Sequence, residues 1–137
     1  MIVVDTSALI AILKNEPDAD ACQIKLQEEE TILISAGTLT EVTIVAGQNG
    51  LSALLRQLLK QAAIQCVPLS EDDALTAGEA YSRWGRRNHD ANLNFGDCFA
   101  YMLAKQQNCP LLYIGNDFAQ TDIVNAIPSA HVMVKQR

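Results

Sequence analysis

Apolar residues along this chain follow two rhythms. Short continuous runs rich in Ile, Val and Leu, at residues 2–4, 31–34, 64–67 and 111–114, predict buried strands, and residues 131–134 offer a fifth. Between them, apolar positions recur at steps of three and four and predict helices over 8–14, 18–29, 39–46, 51–62, 71–87 and 95–107. Leu51, Leu54, Leu55, Leu58 and Leu59 form the clearest stripe, one face of an amphipathic helix packed on the sheet. Local punctuation agrees. Asn49-Gly50 separates two helices, Pro68 follows the third strand, and Ser70 with Asp73 forms a capping pair that opens the next helix.

Strands alternating with helices predict the α/β class, a three-layer α/β/α arrangement with a mainly parallel central sheet. No Gly, Ser or Pro linker divides the chain, so residues 1–137 are expected to form one domain. At 137 residues and 49% hydrophobic content, such a domain can bury a sizeable core without crosslinks. In parallel sheets of this kind the functional crevice lies beyond the carboxyl ends of the strands. Polar residues at those ends are the ones to follow.

Four carboxylates stand there. Asp5 ends the first strand and Asp117 follows the fourth after a glycine, while Glu41 and Asp97 fall in the first turns of two predicted helices. Each has a structural alternative. Thr38 with Glu41 spells a capping box, Asn94 with Asp97 a cap and a first-turn charge, and Asp5 can cap the helix after it. Together they point to a cation, because converging acids without basic partners repel one another and raise their own pKa values. An all-oxygen donor set favours Mg2+ or Mn2+ and suits phosphodiester hydrolysis. Zinc is disfavoured, since Cys22, Cys66, Cys98 and Cys109 are irregularly spaced and there are only two histidines, His89 and His131. The cysteines read as reduced, mostly buried thiols. Without a basic residue ahead of Ile2 to Val4, and with Asp5 next, the N-terminus reads as neither signal peptide nor membrane span, and a cytoplasmic location is expected.

The net charge of −6 argues at first against a nucleic-acid partner, but the charge is segregated. Arg83, Arg86 and Arg87 fall close together, whereas Glu16, Asp18, Asp20, Glu28, Glu29 and Glu30 form a separate acidic stretch. Either run can also be a solvated helix face.

Four motifs in order, Val3-Val4-Asp5-Thr6-Ser7-Ala8-Leu9, Thr38-Leu39-Thr40-Glu41, Leu93-Asn94-Phe95-Gly96-Asp97-Cys98 and Gly115-Asn116-Asp117-Phe118, resemble those of the PIN-domain family, and within it the VapC toxins of bacterial toxin–antitoxin pairs. The resemblance spans nearly the whole chain. It implies a Mg2+-dependent endoribonuclease, with Mn2+ able to substitute, in which Asp5 and Asp97 are the principal metal ligands. Asp117 would be a further ligand, directly or through water, and Glu41 a ligand or the group orienting the attacking water. Arg86 or Arg87, in a segment where relatives carry a basic loop, would steer RNA phosphates toward the metal. Asp90 stands where relatives often have proline, and His89 reads as a surface residue. Thr121-Asp122 also echoes the family, with Asp122 either reaching the site or capping a short helix, the structural role being favoured. The resemblance further implies a homodimer and inhibition by a VapB-type antitoxin.

Two rivals share parts of this pattern. A phosphatase of the haloacid dehalogenase type also starts with a strand ending in Asp, but needs a second acid two residues later, where Ser7 stands. A receiver-type module needs an Asp at the end of the third strand, and Cys66-Val67-Pro68-Leu69 has none. A third alternative is a non-enzymatic protein of the same fold in which the acids serve only as caps.

Overall fold

The computed structural model describes residues 1–127. Strand β1 (Ile2–Val4) leads into α1 (Thr6–Leu13) and α2 (Ala19–Glu28); β2 (Ile32–Ser35) follows, then α3 (Ala36–Gln48) and α4 (Ser52–Gln61). Strand β3 (Gln65–Val67), α5 (Glu71–Trp84), α6 (Asp97–Gln107) and β4 (Leu111–Leu112) complete the order. The four strands form one parallel sheet in the order β3-β2-β1-β4. The chain direction across the sheet reverses between β1 and β4, which is where a parallel sheet opens a crevice at its carboxyl end.

Alternation along the strands divides the core in two. Val3, Leu33 and Leu111 pack against α5 and α6 through Ala77, Ala80, Tyr101 and Leu103. Ile2, Val4, Ile32, Ile34 and Leu112 face the other way, onto Ala8, Leu9, Cys22, Val42 and Leu55. Burial on both faces explains why β1 and β2 are continuous apolar runs. Helices on both faces make the three-layer α/β/α arrangement expected from the sequence. No helix among the described residues is long and apolar enough to cross a membrane.

Three local expectations change. Strand β3, read as buried, is the sheet edge, with Gln65 and Cys66 exposed, because it has a neighbour on one side only. Cys66 is thus the exposed thiol, while Cys22 and Cys98 are buried. In α4 only Leu55 is fully buried, and Leu54 is 50% exposed, so the leucine stripe is wider than the core it covers. Helix α3 starts three residues earlier than its apolar periodicity suggests, capped by Ser35, whose Oγ accepts the Gly37 amide at 3.2 Å. Thr38 is therefore inside the helix, wholly buried, and does not form a capping box with Glu41. The Ser70–Asp73 capping box is present with both of its bonds. The proposed strand at 131–134 lies outside the described residues.

The two faces of the fold differ in what they tolerate. Leu103→Ala, at a position 1% exposed, should cost about 2–5 kcal/mol in denaturant unfolding through transfer and cavity terms. Leu54→Ala should stay within about 0.5 kcal/mol of wild type. Equal losses at both positions would show that the α4 stripe is covered after all.

Candidate active site

Asp5 follows β1 and caps α1. Its Oδ2 accepts the Ser7 amide at 3.0 Å and the Ser7 hydroxyl at 2.6 Å, and Ser7 Oγ in turn accepts the Ile114 amide at 3.0 Å. One small side chain thereby ties the end of β1 to the segment leaving β4. The other oxygen, Asp5 Oδ1, is buried and has no hydrogen-bond partner among the described residues. A carboxylate that needed only to cap a helix would not have to bury a second acceptor unpaired.

Glu41, in the second turn of α3, is half-buried and accepts the Thr6 hydroxyl through Oε1 at 2.7 Å. Its carboxylate rests on Gly96, where even a methyl group would overlap it. Thr6 neighbours Asp5 and Gly96 neighbours Asp97, so Glu41 sits between the two.

Asp97 opens α6 and is 6% exposed. Its Oδ2 accepts the Asn94 amide at 3.0 Å while its own amide donates to Asn94 Oδ1 at 2.8 Å. The sequence paired Asn94 with Asp97 as cap and first-turn charge; the two in fact bond reciprocally across the turn before α6, whose N-cap is Gly96, and one Asp97 oxygen has no partner among the described residues. Asp117 is exposed on the turn after β4, reached through Gly115 at φ +98° and anchored by buried Phe118. A side chain at Gly115 would be strained in that conformation.

Burial and neighbouring negative charge act together on Asp5 and Asp97. Burial raises the Asp5 carboxyl to about 6 despite the bonds from Ser7, and the charge of Glu41 adds to the rise. Burial also raises Asp97 to about 7; the Asn94 amide opposes it, and the charges of Asp5, Asp117 and Glu41 push in the same direction as burial. Asp97 is the centre of this field, since all three of the others act on it.

Among the described residues, no three His, Cys, Asp or Glu side chains are placed to enclose one ion. Ser7, Thr6 and Asn94 each hold one carboxylate oxygen of the acids with a local donor. The donor set nevertheless fits Mg2+ or Mn2+. The unpaired Asp5 Oδ1 and the mutually repelling acids around Asp97 call for positive charge, and Mg2+ is commonly held by one or two carboxylates with water filling the remaining positions.

Arg86 and Arg87 do not continue α5, which ends at Trp84. They sit exposed on the loop that leads to Asn94, with Arg87 at φ +74°. His89 is exposed as expected, its Nδ1 accepting the Ala91 amide at 2.9 Å. Asp122 neither reaches the acids by hydrogen bond nor caps a helix. It accepts the Tyr101 hydroxyl at 2.6 Å and pairs with Lys105 at 3.1 Å. Burial would raise its pKa, but these two partners outweigh that and hold it below the usual value. Tyr101 carried no polar signal in the sequence, since it falls on the apolar stripe of its helix.

The profile of the PIN domain matches residues 2–124. The chain belongs to the PIN-domain family. This PIN domain is 40% identical over 131 residues to ribonuclease VapC30 of Mycobacterium tuberculosis, covering 92% of this chain and 99% of that protein. It is 39% identical over 125 residues to ribonuclease VapC of Mycolicibacterium smegmatis, covering 88% of this chain and 96% of that protein. In fold it is similar to VapC20 of Mycobacterium tuberculosis, described as a sarcin-ricin loop cleaving toxin, with a TM-score of 0.72, 15% identity and coverage of 90% of this chain and 97% of that one. A toxin–antitoxin complex from Klebsiella pneumoniae gives a TM-score of 0.68 at 20% identity, covering 89% and 93% of the two chains. The PIN fold of this chain and the family expected from its four motifs are thus both established.

The raised acids give a pH signature to this PIN domain without metal. Asp5 and Asp97 have folded values of about 6 and about 7 against an ordinary 3.8, so the fold favours their protonated forms. That contribution to stability is full below 3.8 and is lost as pH rises through about 6 and 7. In EDTA, the thermal midpoint should fall between about pH 4 and 7 and level off above that, and Asp97→Asn should flatten the fall. A wild-type midpoint that climbs through this window would count against the buried acids.

Proposed function

We propose that this PIN domain is a metal-dependent endoribonuclease of the VapC type, hydrolysing RNA phosphodiester bonds with Mg2+, for which Mn2+ can substitute. The observation that carries the proposal is the unpaired, buried Oδ1 of Asp5 beside the mutually repelling acids centred on Asp97. Buried negative charge of this kind is costly unless a cation joins it. The identity of about 40% to VapC ribonucleases supports the same reading.

Asp5 and Asp97 would hold the ion, with Asp117 as a further ligand and Glu41 as a ligand or as the group that orients the attacking water. When bound, the ion supplies charge stabilisation at the phosphoryl oxygens and lowers the pKa of a water. The chain's own contributions are positional. Ser7 fixes the Asp5 carboxylate, Asn94 fixes that of Asp97, and Thr6 with Gly96 fixes Glu41 between them. Arg86 and Arg87 would attract RNA phosphates to a molecule that otherwise repels them, given its net charge of −6. The protein acts in the cytoplasm as a homodimer and is silenced by a VapB-type antitoxin, consistent with the toxin–antitoxin complex among its structural neighbours.

The phosphatase reading loses further ground here. Ser7, in the place of the required acid, is committed to Asp5 and to the Ile114 amide. The rival that remains is a binding-only protein of the same fold.

Incubating wild-type and Asp5→Asn protein with mixed cellular RNA, in Mg2+, Mn2+ or EDTA, separates the two. Discrete cuts should appear only with metal. Asp5→Asn and Asp97→Asn should each lower cleavage by about two orders of magnitude or more while the protein still folds, the scale of losing a principal electrostatic contact in a nuclease site. Undiminished cleavage by folded Asp5→Asn would sink the metal assignment, and no metal-dependent cleavage of any RNA would favour the binding-only protein.

A further inference from the structure

Beneath the arginine loop lies a hydrogen-bond chain that the reading above does not use. The loop is pinched at its neck: the Leu93 amide donates to the Trp84 carbonyl at 3.0 Å, and the Arg86 amide donates to the Leu93 carbonyl at 2.9 Å. Its underside, Ala91 and Leu93, is buried, while Arg86 and Arg87 are exposed. Trp84 is its floor. The His89 ring meets the indole edge-on with centroids 4.7 Å apart, and the Arg83 guanidinium lies 4.6 Å from the ring centroid.

Trp84 Nε1 donates to the Tyr101 hydroxyl at 2.9 Å, and Tyr101 donates to Asp122 Oδ1 at 2.6 Å. The direction of this chain is fixed by chemistry. An indole can only donate, an ionised carboxylate can only accept, and a phenol can do both. Burial, with Asp122 as acceptor, pushes the Tyr101 hydroxyl up to about 12, so it keeps its proton and the chain keeps its sense. Tyr101 lies one helical turn beyond Asp97 on α6, and Asp122 lies on the segment that carries Asp117. The three bonded side chains therefore belong to the three segments bearing the arginines, Asp97 and Asp117.

We propose that Tyr101 is a positioning residue whose hydroxyl, acting through Trp84, holds the arginine loop in register with the carboxylates. The inference rests on the reading of Arg86 and Arg87 as contacts for RNA phosphate. Phenylalanine at this position would keep the packing but leave the indole N–H and the Asp122 oxygen without this partner.

The test is a titration of the full chain, in EDTA so that nothing is cleaved, against a fluorescein-labelled single-stranded RNA of mixed sequence, read by anisotropy at several salt concentrations. Tyr101→Phe should raise Kd about fivefold, the scale of one lost hydrogen bond, and should lower the salt dependence of binding. Asp122→Ala removes the acceptor from the exposed end of the chain, but because it also deletes a negative charge and frees Lys105, its readout is the Trp84 emission and not the affinity. In an Arg86→Ala/Arg87→Ala background, Tyr101→Phe should add almost nothing, as expected of residues acting as one unit. Emission from Trp84, the sole tryptophan, should change in both single variants and report the broken chain directly.

Wild-type affinity in Tyr101→Phe, or a full additional loss in the arginine-free background, would overturn the proposal while leaving the nuclease reading intact. Failure of the wild-type protein to bind RNA in EDTA would remove the phosphate-contact role of Arg86 and Arg87 and the proposal with it, while the nuclease reading is decided separately by metal-dependent cleavage.

Discussion

Negative charge gathered and partly buried beyond the strand ends, with no basic side chain bonded to Asp5, Glu41 or Asp97 among the described residues, is the constraint around which this molecule is arranged. Asp5 shows it most clearly. One oxygen performs a helix cap that nearly any Asp, Ser or Thr could supply, and the other is buried without a partner among the described residues. Asp97 repeats the division, one oxygen bound to the Asn94 amide and its carboxyl raised by burial and by its acidic neighbours. Such an arrangement costs stability unless a group of opposite charge joins it, which links the capping chemistry of two helices to the electrostatics of the site.

Holding like charges together requires a rigid frame, and the two-faced core supplies it. Apolar side chains of β1, β2 and β4 point alternately into the two layers, so the strand ends that carry Asp5 and lead to Asp117 cannot shift independently. Ser7 extends the frame past the sheet by joining Asp5 to Ile114. Gly96 does the same by subtraction, since the absence of a side chain there gives Glu41 its place beside α6. The close approach explains why the residue before Asp97 has no side chain.

An acidic protein that handles RNA must also concentrate what positive charge it has. Arg86 and Arg87 are exposed on a short loop whose underside is packed and whose floor is Trp84, so the charge is presented from a fixed base instead of a loose tail. Trp84, Tyr101 and Asp122 carry that base across to α6 and to the segment beyond β4. The segments bearing the arginines, Asp97 and Asp117 are thus joined by one connected set of contacts.

The sequence alone determined the α/β class, the four strand runs and the order of the four acidic motifs, because strand burial, helix capping and turn chemistry are local and leave marks at short spacing. It also showed the cap at Ser70 and the pairing of Asn94 with Asp97, whose partners lie three residues away. Local pattern misplaced the start of α3, since Ser35 and Thr38 are both acceptable caps and only the end of β2 decides between them. It could not show that β3 is an edge or that Leu54 is uncovered, because a side chain's exposure depends on which elements pack beside it. Nor could it show the spare oxygen of Asp5, the contact of Glu41 with Gly96 or the chain from Trp84 to Asp122. Those join residues far apart in sequence, and only tertiary packing sets the distances on which hydrogen bonding and charge repulsion depend.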